Sequence, residues 1–165
     1  MDTVKFIIED YIDEENGFRF PTINIYINGK NLIDLVEQTE REFRGLHETP
    51  SSTSYVGLHP GYFRDFLDEF LGLQKRPYSL LLTCTCLEEL CNCITGKIII
   101  DGETATWSEI KSPWLRSKTP NAQMTDEEAL EVGWHPIDYS HLGPFVFERE
   151  QYMDALNKLG KNGTF

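Results

Sequence analysis

The spacing of apolar residues along the chain is the feature that most constrains its fold. Ile23, Ile25 and Ile27 alternate with polar residues, as they do in a strand that buries one face. After the turn signal Asn28-Gly29, apolar residues recur at every third or fourth position, which is typical of an amphipathic helix. Because both periods occur in one chain without an internal repeat, the pattern predicts an α+β fold.

The two periods predict five strands and about three helices in one domain that spans residues 1–165. The strands are expected at 4–12, 22–28, 78–84, 96–101 and 104–108, and the helices near 31–43, 61–71 and 148–159. Pro21 is expected to mark a break or an edge. A last short strand is indicated at 145–147, and a loop insertion at 115–134. We expect the sheet to be mainly antiparallel, because a tight turn such as Asp101-Gly102 joins neighbouring strands.

Two of the predicted helices have apolar faces that we expect to contact the core. Asn31 is placed to cap the first helix, and the predicted core face of that helix consists of Leu32, Leu35, Val36 and Phe43. The acids of the first helix are predicted to lie elsewhere, and they are Asp34, Glu37, Glu40 and Glu42. The second helix carries an aromatic stripe that we interpret as core and not as a cofactor site, and its residues are Phe63, Phe66, Leu67 and Phe70.

The charge of the chain limits its partners. With 15 basic and 27 acidic residues, the formal net charge is -12, which repels the phosphate backbone of DNA and RNA. Nucleic-acid binding is therefore not expected. Such a charge keeps a protein in solution, and it also suits a basic partner protein. An immunity-type inhibitor that covers a cationic toxin is one concrete example.

The sequence also indicates where the protein works. Its first residues lack the basic start and the small-residue cleavage site of a secretory signal, and no apolar run reaches the length of a bilayer span. We therefore expect a cytoplasmic protein with no membrane partner, in a compartment that keeps thiols reduced.

All four cysteines of the chain lie in the ten residues CTCLEELCNC at 84–93. If this segment folds as a hairpin, Cys84 faces Cys93 and Cys86 faces Cys91, with the four sulfur atoms on one side. Three interpretations are open: reduced thiols that pack as small apolar groups, a zinc site with four thiolate ligands, or a redox pair.

The spacing of the cysteines favours reduced thiols without a metal or another cofactor. The pattern C-x-C-x4-C-x-C differs from the paired C-x2-C of common zinc sites, and one short segment supplies every candidate ligand. The C-x-x-C motif of redox proteins is missing from the segment. Cys84 is expected to point into the core, because it continues the apolar run 80–82. The alternative is a zinc ion bound by Cys84, Cys86, Cys91 and Cys93.

No catalytic constellation is recognisable in the sequence. The four histidines lack metal-ligand spacing, and they are His47, His59, His135 and His141. His135 and His141 flank Asp138 in the loop 133–147, so a hydrolase or transferase site in that loop is a second alternative. We assign no catalytic residue, and the sequence favours a protein that is not an enzyme.

Several motifs together resemble a family of small bacterial proteins. They are Asn28-Gly-Lys-Asn-Leu32, Leu82-Thr-Cys84-Thr-Cys86 with Cys91, Trp107-Ser-Glu-Ile110, Tyr139-Ser-His-Leu-Gly-Pro-Phe-Val-Phe147, Gln151-Tyr152 and Ala155-Leu156. The corresponding family patterns are C-x-C-G-E-x-G-C, V-x-W-S and Y-S-x-x-G-P-F-x-F. The resemblance covers residues 24–156 and implies the fold boundaries and a bacterial origin, but it implies no activity.

The chain departs from the family pattern around its cysteines. The two glycines of the family are Leu87 and Leu90 here, and Cys93 falls where the family has no cysteine. The three shared thiols are one fewer than a four-thiolate zinc site needs, which is a further argument against a metal. From the sequence we therefore expect a bacterial cytoplasmic protein that binds another protein and performs no catalysis.

Overall fold

The computed structural model describes residues 1–47, 55–84, 93–112 and 137–161. The strands in this part of the chain are β1 (Val4–Asp13), β2 (Phe18–Ile27), β3 (Lys30–Asn31), β4 (Tyr55–Val56), β5 (Ser79–Cys84), β6 (Ile94–Ile100), β7 (Thr104–Lys111) and β8 (Phe145–Glu148). The helices are α1 (Leu32–His47), α2 (Pro60–Asp65), α3 (Leu67–Phe70) and α4 (Arg149–Lys161). The predicted α+β fold is confirmed, whereas the insertion expected at 115–134 lies outside the described residues.

The strands form two antiparallel sheets where one was expected. The first sheet has the order β1-β2-β3, and the second has the order β4-β5-β6-β7-β8. Ile23 in β2 and Leu58, just after β4, exchange two backbone hydrogen bonds of 2.7 and 3.0 Å. At the other end of the strand order, the N–H of Asp2 donates to the carbonyl of Val146 in β8 at 2.8 Å. One bridge therefore joins β2 to the residues after β4, and a second bridge joins the residues before β1 to β8.

β1 and β2 form a ladder of ten residue pairs without a register shift, from Val4 opposite Ile27 to Asp13 opposite Phe18. β2 therefore begins earlier than predicted, and it continues through Pro21 without a break. The N–H of Ile23 points away from β1, towards Leu58. The N–H groups of successive residues in a strand point to opposite sides, so every second residue points the same way. Pro21 faces away from β1 in the same way, so its missing N–H removes no hydrogen bond from the ladder.

The first predicted helix is confirmed, and the second is divided. The Asn31 side chain accepts the N–H of Ile33 at 2.9 Å, as a cap of α1 should. The segment predicted as one helix at 61–71 is two short helices, α2 and α3, which meet at Phe66 with φ -100°. The aromatic stripe predicted for this segment nevertheless faces the core, where Phe63, Phe66 and Phe70 are buried.

The core is built around Phe6 of β1. The Phe6 ring lies 5.7 to 6.3 Å, between ring centroids, from four other aromatic rings, which are Phe63, Phe70, Trp107 and Tyr152. Strands of both sheets and three helices thus share one core. The hydroxyl of Tyr152 donates to the carbonyl of Phe70 at 2.7 Å, and burial raises the pKa of Tyr152.

Candidate functional site

The cysteine segment is only partly described, and its two described cysteines are buried. Cys84 is the last residue of β5 and pairs with Tyr55 of β4, while Cys93 directly precedes β6. The burial of Cys84 confirms that this residue points into the core. Cys86 and Cys91 lie outside the described residues, so the state of the thiols and the zinc alternative stay predictions.

The register of β5 and β6 differs by one residue from the hairpin that we predicted for the cysteines. Leu82 pairs with Ile94, whereas a hairpin with Cys84 opposite Cys93 would pair Leu82 with Thr95. Continuing the observed register would place Thr83, and not Cys84, opposite Cys93. Among the described residues, no three side chains of His, Cys, Asp or Glu come together as metal ligands would.

The described part of the loop 133–147 forms a tight turn beside β7. Asp138 accepts the backbone N–H of Ser140 at 2.8 Å, and this bond, with a smaller contribution from His141, lowers the pKa of Asp138. Asp138 and Ser140 border a cavity of about 350 Å³, and residues of β7 line its other side. His141 itself is exposed, and His135 lies outside the described residues. The hydrolase or transferase site that we considered in this loop stays a hypothesis.

His59, one of the histidines without metal-ligand spacing, has a structural position. Its Nδ1 atom accepts the backbone N–H of Gly61 at 3.0 Å, so the imidazole caps the first turn of α2. His47 is the last residue of α1. From the sequence, both histidines could be said only to lack metal-ligand spacing, and the capping bond of His59 depends on the fold of the turn.

The end of the β1–β2 hairpin projects beyond the core and combines acidic with apolar side chains. We call residues 11–20 the hairpin tip. Its charged residues are three acids and one base: Asp13, Glu14, Glu15 and Arg19. Its apolar side chains are unusually open, because Ile12 is 56% exposed and Phe18 is 52% exposed. An exposed apolar surface bordered by charged groups is typical of a protein-binding surface.

Asp13 fixes the conformation of the hairpin tip. Its carboxylate accepts the backbone N–H groups of Glu15 and Asn16, both at 3.1 Å, and the side-chain amide of Asn16 at 2.9 Å. The bonds from Asn16 contribute most to the lowered pKa of Asp13. Gly17 closes the turn with φ +72°, and its N–H donates to the carbonyl of Asp13 at 2.8 Å.

The other acids in and next to the tip differ in what they contact. Asp10, just before the tip, forms an ion pair of 2.7 Å with Arg19, so this base is already neutralised within the hairpin. Glu14 and Glu15 are exposed and their carboxylates form no hydrogen bond with a described residue. The tip therefore presents two unneutralised carboxylates next to Phe18 and Ile12.

A polar cluster supports the hairpin where it leaves the core. One carboxylate oxygen of Glu9 accepts the hydroxyl of Tyr26 at 2.6 Å and the side-chain amide of Asn24 at 2.9 Å. The Glu9 carboxylate raises the pKa of Tyr26, so the phenol stays protonated and continues to donate. Since these side chains tie β1 to β2, the projecting tip has a rigid base.

Comparison with protein-family models, with curated proteins and with solved structures finds no match for this chain. The resemblance to a bacterial family described above thus stays an expectation. Within the described residues, no helix has the length and apolar character needed to cross a membrane.

The sequence indicated part of this site and missed part of it. The acids at 13–15 and the turn at Asn16-Gly17 were recognisable as a solvated turn. The alternation of apolar and polar residues in β1 and β2 did not reveal that these strands extend past the core. A strand of ten residues spans about 33 Å, which is long against the core of a small domain, and this length was the available signal.

Proposed function

We propose that this chain is a non-enzymatic binding protein of the bacterial cytoplasm, and that it recognises a basic protein through the hairpin tip. The observation that carries the proposal is the coexistence of exposed Phe18 and Ile12 with the carboxylates of Glu14 and Glu15 on one preorganised turn.

The apolar and acidic side chains of the tip would have different roles in binding. Large apolar anchors supply most of the affinity when they enter a pocket of the partner, and Phe18 is the largest such group in the tip. The carboxylates would raise the rate of encounter with a cationic surface and select against acidic partners. The net charge of -12 acts in the same direction at longer range.

Preorganisation supports the same proposal. Ordering a flexible loop on binding costs free energy, and a turn that is already fixed by Asp13 and Gly17 avoids much of that cost. An immunity-type inhibitor of a cationic toxin is the concrete case that we favour, since such an inhibitor has to cover a basic surface and needs no catalytic group.

A tagged copy of the full chain, used as bait in extracts of the source cells, tests the proposal. We expect the wild type to retain one basic protein in a stoichiometric complex that native mass spectrometry can weigh. The variant Phe18→Ser with Glu14→Lys should retain about tenfold less of that protein, because it loses an apolar anchor and reverses a charge.

The matched control is Leu73→Ser, which removes another exposed apolar side chain, 61% accessible, outside the tip. It should retain as much partner as the wild type. The proposal is wrong if no protein is retained, if the retained protein is acidic, or if the two variants behave alike.

A further inference from the structure

A cavity of about 500 Å³ lies between α3, the loop that follows it and the strands β5 to β7. Its volume falls within the range of about 300 to 1,000 Å³ that is typical of small-molecule sites. The buried residues Glu69, Ser79 and Ile98 form its floor, whereas Lys97 and Glu109 are exposed at its opening. The residues that line this cavity are not part of the hairpin tip, so a ligand here is independent of the function proposed for the tip.

Glu69 carries a buried carboxylate that lacks a hydrogen-bond partner. The residue is only 4% exposed, and its Oε2 atom accepts no hydrogen bond from a described residue. Removing a carboxylate from water costs free energy unless donors compensate for it. The other buried glutamate in the described part of the chain, Glu40, meets this requirement, because both of its oxygens accept the hydroxyl of Tyr55. The carboxylate of Glu69 is therefore available to a donor that enters the cavity.

The two bases in the loop after α3 are engaged by other groups. The Nζ atom of Lys75 forms an ion pair of 2.7 Å with Asp68. The hydrogen bond to Asp68 is the main cause of the raised pKa of Lys75, and Glu69 makes the smallest contribution. The guanidinium of Arg76 lies 4.2 Å from the centroid of the Phe66 ring, as in a cation–π contact. Neither base thus neutralises Glu69 directly.

Lys97 and Glu109 bring an unpaired charge of each sign to the opening. The pairing of β6 with β7 shifts between Thr95 and Lys97, so that β7 has a bulge that contains Glu109. Two of the three non-glycine residues with positive φ in the described part line this cavity: Glu109 at +51° and Gln74 at +49°. Backbone strain of this kind is concentrated at functional sites. Neither Lys97 nor Glu109 forms an ion pair with a described residue.

We propose that this cavity binds a free basic amino acid of the arginine or lysine class. The side-chain cation of the ligand donates to the buried carboxylate of Glu69. At the opening, the α-carboxylate of the ligand pairs with Lys97 and its α-ammonium pairs with Glu109. A ligand of this class supplies the donor that Glu69 lacks, and its zwitterionic end matches the two unpaired charges at the opening.

A metal ion fits these groups less well than an organic cation does. The ammonium of Lys97 at the opening would repel a metal cation. Within the described ranges, no three side chains of His, Cys, Asp or Glu gather as ligands. A guanidinium or ammonium group needs only one carboxylate, because charge-assisted hydrogen bonds to a single carboxylate are strong.

Isothermal titration calorimetry of the full chain with L-arginine and with L-lysine tests the proposal. We expect one site for at least one of the two, with a dissociation constant of about 10 μM to 1 mM. Glu69→Gln should weaken binding about tenfold, because the amide keeps the shape of the side chain and loses its charge. Glu103→Gln, in the β6–β7 turn outside the cavity, is the matched control and should bind within about twofold of the wild type.

Thermal unfolding without ligand separates a binding role of Glu69 from a structural one. The melting temperature of Glu69→Gln should equal or exceed that of the wild type, because the substitution removes a buried charge that has no partner. If Glu69 instead stabilised the fold, the same variant would unfold at a lower temperature.

Analogues of arginine test the contacts at the opening. Agmatine, which is arginine without its α-carboxylate, should bind the wild type about fivefold more weakly than arginine. In Lys97→Gln the two ligands should bind nearly equally, because the side chain that distinguishes them is gone. N-acetyl-L-argininamide imitates an arginine within a protein chain, and it should bind more weakly than free arginine.

Three results would overturn the proposal. The first is that neither amino acid binds the wild type at concentrations up to about 10 mM, tenfold above the weakest dissociation constant expected. The second is a Glu69→Gln variant that binds as tightly as the wild type or unfolds at a lower temperature. The third is equal binding of N-acetyl-L-argininamide and arginine, since the site would then take an arginine of a partner protein. The tip variant Phe18→Ser with Glu14→Lys should bind arginine as the wild type does, which separates this test from that of the hairpin tip.

Discussion

Glu40 shows how one side chain can depart from the pattern of its helix. The sequence places Glu40 with the solvated acids of α1, yet it is only 2% exposed, and the hydroxyl of Tyr55 donates to both of its carboxylate oxygens at 2.8 and 3.0 Å. A buried carboxylate is tolerated when hydrogen-bond donors satisfy it. Tyr55 belongs to β4, so the residue that satisfies the buried Glu40 carboxylate lies outside the helix of Glu40.

Replacing Tyr55 with phenylalanine should therefore destabilise the fold. The variant Tyr55→Phe removes a donor and leaves the buried Glu40 carboxylate less satisfied, which should cost about 1 to 3 kcal/mol in the free energy of unfolding. Urea denaturation followed by circular dichroism measures the loss. Tyr78→Phe is the control, because Tyr78 is exposed and its hydroxyl bonds to no described residue, and equal losses in both variants would contradict our account.

At the scale of elements, aspartates organise the turns of two hairpins. Asp101 lies between β6 and β7, and its Oδ1 atom accepts the N–H groups of Glu103 and Thr104 at 3.0 and 2.9 Å. Asp13 has the same role in the hairpin tip. Turn signals in the sequence found both turns, because an Asp side chain that bonds to nearby N–H groups is a local effect.

These turns should respond to acid. Hydrogen bonds to the ionised form, chiefly from Glu103 to Asp101 and from Asn16 to Asp13, lower both pKa values below 3.8. A lowered pKa in the folded state stabilises the fold above the unfolded value and loses this contribution as pH falls through the folded value.

Carbon-detected NMR of the side-chain carboxyls should show Asp13 and Asp101 titrating below 3.8. In Asp101→Asn, the stability advantage of the wild type over the variant should shrink as the pH is lowered through that range. Titration of either carboxyl at or above its ordinary value would show that the turn hydrogen bonds are not formed in solution.

For the whole molecule, the bridge between Ile23 and Leu58 is the point at which the first sheet meets the second. Gly57 directly precedes Leu58, and a Cβ atom at position 57 would lie 2.5 Å from Oδ1 of Asn24 and 2.6 Å from the carbonyl oxygen of Ile23. Backbone atoms cannot yield as a flexible side chain can, so only glycine allows the two sheets to approach this closely.

Gly57→Ala should accordingly weaken the joint between the sheets and lower the free energy of unfolding by about 1 to 3 kcal/mol. Thermal and urea unfolding measure the change, and hydrogen exchange at the Ile23 and Leu58 amides locates it. Gly102→Ala is the matched control, since a Cβ there meets nothing within 4 Å and should change stability by less than about 0.5 kcal/mol. A neutral Gly57→Ala would mean that the bridge opens at little cost.

The sequence by itself determined the elements of this protein. Most strands and the long helices were located from apolar spacing, and the cap at Asn31 was located from its residue type, because each of these depends on residues within a few positions of one another. The acidic net charge of the chain also follows directly from composition.

Only the tertiary structure decided which elements are neighbours. It divided the strands into two sheets, buried Glu40 under Tyr55, shifted the register before Cys93 and placed Glu69 on the floor of a cavity beside β6. Apolar spacing reports that one face of an element is buried, but it does not report what covers that face or its edges. That choice depends on contacts between residues far apart in the chain, such as Val4 with Gln151 and Ile23 with Leu58, and no local pattern encodes them.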